Sequence, residues 1–264
     1  MEELAQSLQS DCTIDLVIGD PMSSTTFKMS RVQLEHTSEY FKAALKYQHF
    51  GTGKPDTLAF PEDDVQAWKV LLYWIVKHKL PKNEELLKGG IAEMDGKERY
   101  INPRSLCISC WALGDQYCIA AFQDQIMLEL LLSVEGQPFT IAITDVVEAF
   151  EMTRPGSVLR ELMVEELVAV TVDDNQPYFD EECKEALGGL LDVDGFAEVF
   201  DRMTSAYKPS GPFYMPRIPG REDGQGLSPF WKFLVGKERP GDHWLQIELA
   251  RRVREEPENW VWPE

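Results

Sequence analysis

The sequence predicts an α+β chain: a small sheet packed with helices, then an all-helical extension and an aromatic-rich tail. Three observations predict it. Near the start, Ile14, Leu16 and Ile18 fall at every second position, the period of a half-buried strand. From Arg31 onward apolar residues recur at spacings of three, four and seven, the stripe of an amphipathic helix. Beyond residue 207, Pro and Gly are frequent, yet four of the seven tryptophans lie there: Trp231, Trp244, Trp260 and Trp262. These shifts divide the chain at residues 11–132, 133–207 and 208–264.

The first strand is read in Cys12-Thr-Ile-Asp-Leu-Val-Ile-Gly19, and Asp20-Pro21 turns it. Thr25-Thr-Phe-Lys-Met29 is the second strand of the hairpin. Val32 and Leu34, then Tyr40, Phe41, Ala44 and Leu45, suit two short helices. Ser38 is the N-cap between them, its hydroxyl accepting from a free backbone N–H. Asp56-Thr-Leu-Ala-Phe60 is a third short strand, closed by Pro61. Asp63 or Asp64 caps a longer helix carrying Val65, Trp68, Leu71, Leu72, Ile75 and Val76. Residues 81–103 are polar, contain Gly89-Gly90 and Asp95-Gly96, and read as an inserted loop. Two helical stretches come next, 104–117 and 120–132, separated near Cys118-Ile119.

The extension continues with Ile143, Val146, Val147 and Phe150 on one helix, ended by Pro155-Gly156. Val158, Leu159, Leu162, Val164, Leu167 and Val168 make another. Residues 179–191 and 193–207 supply two more, with Gly188-Gly189 a weak point. The tail's tryptophans set it apart from disordered segments, which are poor in aromatics. It is expected to dock, on its own body in preference to a partner.

Composition narrows the function. The 264 residues are 44% hydrophobic and 27% charged, as in globular chains. No apolar run approaches the roughly 18 residues of a membrane span, and the N-terminus has no signal-peptide pattern, so an intracellular protein of the cytoplasm or nucleus is expected. A net charge of −19 argues against binding nucleic acid through its phosphates. The excess is concentrated: residues 1–132 carry 13 basic and 19 acidic side chains, 133–207 carry 4 and 17, and 208–264 carry 9 and 9. Of the five cysteines, Cys107 and Cys110 form a C-x-x-C. No second pair and no histidine spacing completes a zinc site, and the pair lies inside a helical pattern with Leu106, Leu113 and Tyr117, so core packing is expected.

Catalytic signatures are weighed in turn. Glu165-Glu166, Asp173-Asp174 and Asp180-Glu-Glu182 are neighbours on polar stretches, and adjacent helical residues do not face each other, so a solvated acidic face is expected. No Gly-x-Ser-x-Gly occurs. Gly51-Thr-Gly-Lys54 lacks the rest of a phosphate loop. Asp192-Val-Asp-Gly195 opens like a calcium loop, but its twelfth position is Met203 instead of Glu. No catalytic residue, cofactor or metal is expected.

The ordered set of elements resembles the BTB/POZ domain, of the kind found in fungal proteins. The resemblance covers residues 11–132, about half of the chain. It rests on Asp15-Leu-Val-Ile-Gly19, Phe27-Lys-Met-Ser-Arg31, Leu34, Ser38-Glu-Tyr-Phe41, Leu58-Ala-Phe-Pro-Glu62, Ala67-Trp-Lys-Val-Leu-Leu-Tyr-Trp74, Leu113-Gly-Asp-Gln-Tyr117 and Leu128-Glu-Leu. The stretch Phe150-Glu-Met-Thr-Arg-Pro-Gly-Ser-Val-Leu-Arg160 looks like the segment C-terminal to this domain in many fungal members. The family's His-Lys after the second strand is Ser30-Arg31 here, and residues 81–103 lengthen a connection that is often short.

The resemblance implies a non-catalytic protein-interaction module. Such domains pair with themselves, or present a face to a cullin scaffold as ubiquitin-ligase adaptors. Carried over residue by residue, it implies a charged pocket at Asp15 and Arg31. It also implies partner contacts at Leu4, Leu8 and Ile14 for self-association, and at Tyr40, Phe41, Tyr47 and Phe50 for a cullin. In the adaptor reading, residues 133–264 hold the substrate. A thiol- or zinc-dependent protein centred on Cys107 and Cys110 is the alternative from another class.

Overall fold

A computed structural model of the chain describes residues 12–46, 56–81, 92–94, 97–99, 103–134, 142–171, 187–206, 233 and 235. The chain divides into two compact units, 1–123 and 124–264. The division falls within the helix over 120–134.

In the first unit, β1 (Thr13–Ile18) pairs with β2 (Thr25–Ser30) in an antiparallel hairpin, Leu16 opposite Phe27. Ile14, Leu16 and Ile18 are fully buried, so the alternation in the sequence marks the inner face. In the turn, the Met22 N–H donates to the Asp20 carboxylate at 2.8 Å. That is the local bond by which Asp competes with a regular strand. Gly19 has φ +88°, and a Cβ there would stand 3.0 Å from Val65 Cγ2. Only glycine meets both demands.

Ser30 ends β2 and caps α1 (Arg31–Thr37), its hydroxyl accepting from the Gln33 N–H at 3.1 Å. A serine where the resembling family has histidine thus has a backbone role. Ser38 caps α2 (Glu39–Lys46) in the same way, accepting from the Phe41 N–H at 3.3 Å. β3 (Thr57–Phe60) then joins β1 in parallel, Leu16 opposite Leu58, giving the order β2-β1-β3. A parallel partner needs a crossover connection, and α1 and α2 lie within it.

Asp64 is the N-cap of α3 (Val65–Lys77), accepting from the Ala67 N–H at 2.6 Å. α3 packs against α4 (Pro103–Gln116), and Trp68, Leu71 and Ile75 bury its inner stripe. Burial of side chains this size contributes about 1.5–3 kcal/mol each. Between α3 and α4 the structure differs from the expected loop: β4 (Ala92–Met94) pairs antiparallel with β5 (Lys97–Arg99). The signal was present in the sequence, because the two intervening residues are Asp95-Gly96, a strong two-residue hairpin pattern.

α4 ends at Tyr117 and Cys118. Cys118 takes a left-handed φ of +57°, and the Ile119 N–H closes back on the Gly114 carbonyl at 2.8 Å. α5 (Ala120–Val134) starts there. A Cβ on Gly114 would stand 2.6 Å from Gln123 Cγ, so a side chain at 114 would hold the two helices apart.

In the second unit, α6 (Ile143–Met152), α7 (Val158–Thr171) and α8 (Phe196–Ala206) pack in sequence, α7 against both others. Phe196 is fully buried, 5.6 Å from the Phe150 ring and 5.5 Å from Phe200. Residues 187–190 are helical, so the Gly188-Gly189 pair lies within a helix and the chain leaves it through the tighter bonds Leu191 N–H to Gly188 O and Val193 N–H to Leu190 O.

One expectation is corrected here. Glu165 and Glu166 are 4% and 8% exposed, not part of a solvated face. α7 is buried at every residue from Leu162 to Val168, because neighbours cover more than one side of it.

Candidate functional site

The first unit concentrates its aromatic side chains around Tyr117. Its ring lies 4.8 Å from Tyr40, 5.3 Å from Phe41, 5.4 Å from Phe60 and 5.5 Å from Trp68. Those rings come from α2, β3 and α3, so one residue at the end of α4 gathers three elements. Ring pairs at such distances add about 0.5–1.5 kcal/mol beyond the area they bury.

A carboxylate organises the polar ends of this cluster. Asp63 accepts from the Tyr117 hydroxyl, from Trp68 Nε1 at 2.8 Å and from Gln116 Nε2 at 3.3 Å. Gln116 Nε2 also reaches the Tyr117 oxygen at 2.9 Å. Burial first, then the bond to Asp63 and its charge, push the Tyr117 phenol well above its ordinary range. Burial and the same carboxylate raise Tyr40. The two aspartates that sequence left as alternatives divide the work: Asp64 caps the helix and Asp63 holds the rings.

Tyr40 is the exposed member of the cluster, 40% exposed, while Phe41 beside it is fully buried. One side of the Tyr40 ring is backed by the packed cluster and the other is open. Phe41, expected on the contact face, is inside the core: it supports Tyr40 from behind, with the rings 5.5 Å apart and perpendicular. Tyr47, Phe50, Leu4 and Leu8 lie outside the described residues.

The charged pocket inferred for Asp15 and Arg31 does not assemble as a pair. Asp15 faces Lys28 at 3.9 Å across the hairpin, where the register sets the two opposite. Arg31 goes to Glu35 at 2.9 Å and to the Leu45 carbonyl at 3.1 Å, so it ties α1 to the last turn of α2. A cation at that end of α2 also suits the helix dipole.

Cys107 and Cys110 are thiols on α4. Cys110 is buried, with its Sγ 4.0 Å from the Ala67 carbonyl oxygen on α3. Burial, with Cys107 and Asp64 nearby, raises its pKa well above the ordinary thiol value, opposite to the shift that makes a reactive thiolate. Among the described residues, no three His, Cys, Asp or Glu side chains converge to hold a metal ion, and no helix is long and apolar enough to cross a membrane.

The second unit has a buried cation that sequence reasoning missed. Arg160 is 6% exposed. It donates to the Phe150 carbonyl at 2.6 Å, to the Thr153 carbonyl and to Thr153 Oγ1 at 3.1 Å, and its guanidinium lies 4.7 Å over the Phe150 ring. These bonds cap the end of α6, where carbonyls lack partners. Burial lowers the Arg160 pKa, and Asp194 opposes that. Asp194 belongs to the stretch that opened like a calcium loop, and its charge acts on this arginine.

Compared with protein-family models and with curated proteins, the chain matches none.

Proposed function

We propose that the chain is a non-catalytic protein–protein interaction module of the BTB/POZ type that self-associates through residues 11–132, with the preceding Leu4 and Leu8 packing on the partner chain. The observation that carries this reading is the order of the first unit. An antiparallel hairpin is followed by two short helices, a third strand parallel to the first, a long helix, an inserted two-stranded hairpin, and then a helix pair. The resembling domain has its elements in the same order. Replacing Leu4 and Leu8 together by Asp tests this reading: self-association should weaken, and an unchanged dissociation constant would remove this pairing mode.

A second reading has its own observation. Tyr40 is an exposed aromatic on α2, the element that contacts cullins in the resembling family. In this reading the chain is a substrate adaptor of a cullin-based ubiquitin ligase, and residues 133–264 receive the substrate. Adding a cullin N-terminal domain to the full chain on a sizing column separates the two. A mass shift that Tyr40→Ala abolishes supports the adaptor; no shift leaves self-association alone.

A further inference from the structure

The second unit holds a short piece of the tail in place. Phe233 is fully buried, although the described helices end at Ala206. Two residues later the Val235 N–H donates to Asp124 Oδ1 at 2.6 Å, across 111 residues of sequence. Asp124 is itself only 3% exposed. A buried carboxylate is costly unless donors satisfy it, and this one receives a backbone N–H, a strong charge-assisted bond that any residue except proline provides. Val235 is 37% exposed, so the segment is anchored at the aromatic and emerges at the surface. Met127, Leu128 and Leu131, spaced three, four and seven from Asp124 on α5, are buried on the same helix face.

A buried aromatic anchor followed by a main-chain bond to a fixed acceptor holds a segment by its side chain and its backbone together. We propose that Asp124 and the buried seat of Phe233 form a peptide-acceptor site for an aromatic-x-aliphatic segment, occupied here by the chain's own Phe233 and Val235. The tail is a tethered ligand of its own body, and the site takes the same chemistry in trans when the tether is vacated. The inference rests on the second unit and is independent of the reading of residues 11–132.

The test uses a fluorescein-labelled peptide of residues 228–238, titrated by anisotropy against the full chain and its Phe233→Ala variant. The variant should bind the peptide on the order of tenfold more tightly than the wild type, whose tethered segment competes at an effective concentration near millimolar. Peptides carrying Phe233→Ala or Val235→Pro should bind neither protein. Binding by neither protein, or binding that survives both peptide changes, overturns the proposal. If Phe233→Ala loses its native melting transition, full-chain Val235→Pro replaces it. Loss of fold in both variants also overturns the proposal, because the segment is then core and not an exchangeable ligand.

Discussion

The Tyr117 hydroxyl donates to the Asp63 carboxylate across 54 residues of sequence, joining the end of α4 to the loop that precedes α3. The same carboxylate holds Trp68 and Gln116. The aromatic core of the first unit is therefore fixed at its polar end as well as by packing, and Tyr40 is presented on top of a rigid base.

Tyr117→Phe removes one donor and keeps the ring. It should cost about 1.5–3 kcal/mol, the range for a hydrogen bond to a charged group. Urea unfolding of the full chain measures it; a midpoint unchanged from wild type would show that the bond contributes nothing net.

The same pair sets an alkaline limit. The folded state keeps the Tyr117 proton where the unfolded chain has released it, since the folded phenol is raised. Its contribution is whole below about pH 10, the ordinary tyrosine value, and falls as pH rises beyond that. Wild-type stability should drop more steeply than that of Tyr117→Phe above this pH. Parallel curves in thermal melts from pH 8 to 11 would contradict the assignment.

Gly114→Ala should destabilise the first unit by about 1–3 kcal/mol, the usual cost of overpacking. The new Cβ would meet Gln123 Cγ at 2.6 Å and Phe122 Cδ1 at 3.3 Å, and both partners are buried. On helix propensity alone the change should stabilise, so the sign of the measured difference decides between the two effects.

Arg160→Lys should behave nearly as badly as Arg160→Met. Lysine keeps the charge but cannot reach the Phe150 carbonyl, the Thr153 carbonyl and the Thr153 hydroxyl together with one planar fork. Rescue of the melting temperature by lysine would mean that the charge matters and the geometry does not.

Thiol labelling checks the placement of the C-x-x-C. Cys12 and Cys118 are exposed and should react quickly with iodoacetamide, while buried Cys110 should be protected until the chain unfolds. Mass spectrometry of the modified peptides reads the order; early labelling of Cys110 would return the pair to the chemical alternatives.

Local chemistry made much of the first unit legible. The alternation of Ile14, Leu16 and Ile18, the caps at Ser38 and Asp64, and the stripe through Trp68, Leu71 and Ile75 each arise from near neighbours in sequence. What escaped was set by distant residues. Phe41 and Tyr40 are adjacent and both aromatic, and the distant rings of Phe60 and Trp68, which lie against Phe41 alone, mark which is inside. Asp15 and Arg31 carry opposite charges, yet the strand register gives Asp15 to Lys28 and the helix spacing gives Arg31 to Glu35. Glu165 and Glu166 read as solvated because nothing in a single helix reveals what covers it. Arg160 closes the stretch that begins at Phe150, but nothing local shows that its guanidinium is buried against the Phe150 and Thr153 carbonyls.

Self-association is tested most directly by the mass of the full chain, measured by light scattering on a sizing column. Pairing through residues 11–132 predicts twice the chain's 30.2 kDa, returning toward the single-chain mass in the Leu4→Asp/Leu8→Asp variant. A wild-type mass of one chain at every concentration tested would contradict it.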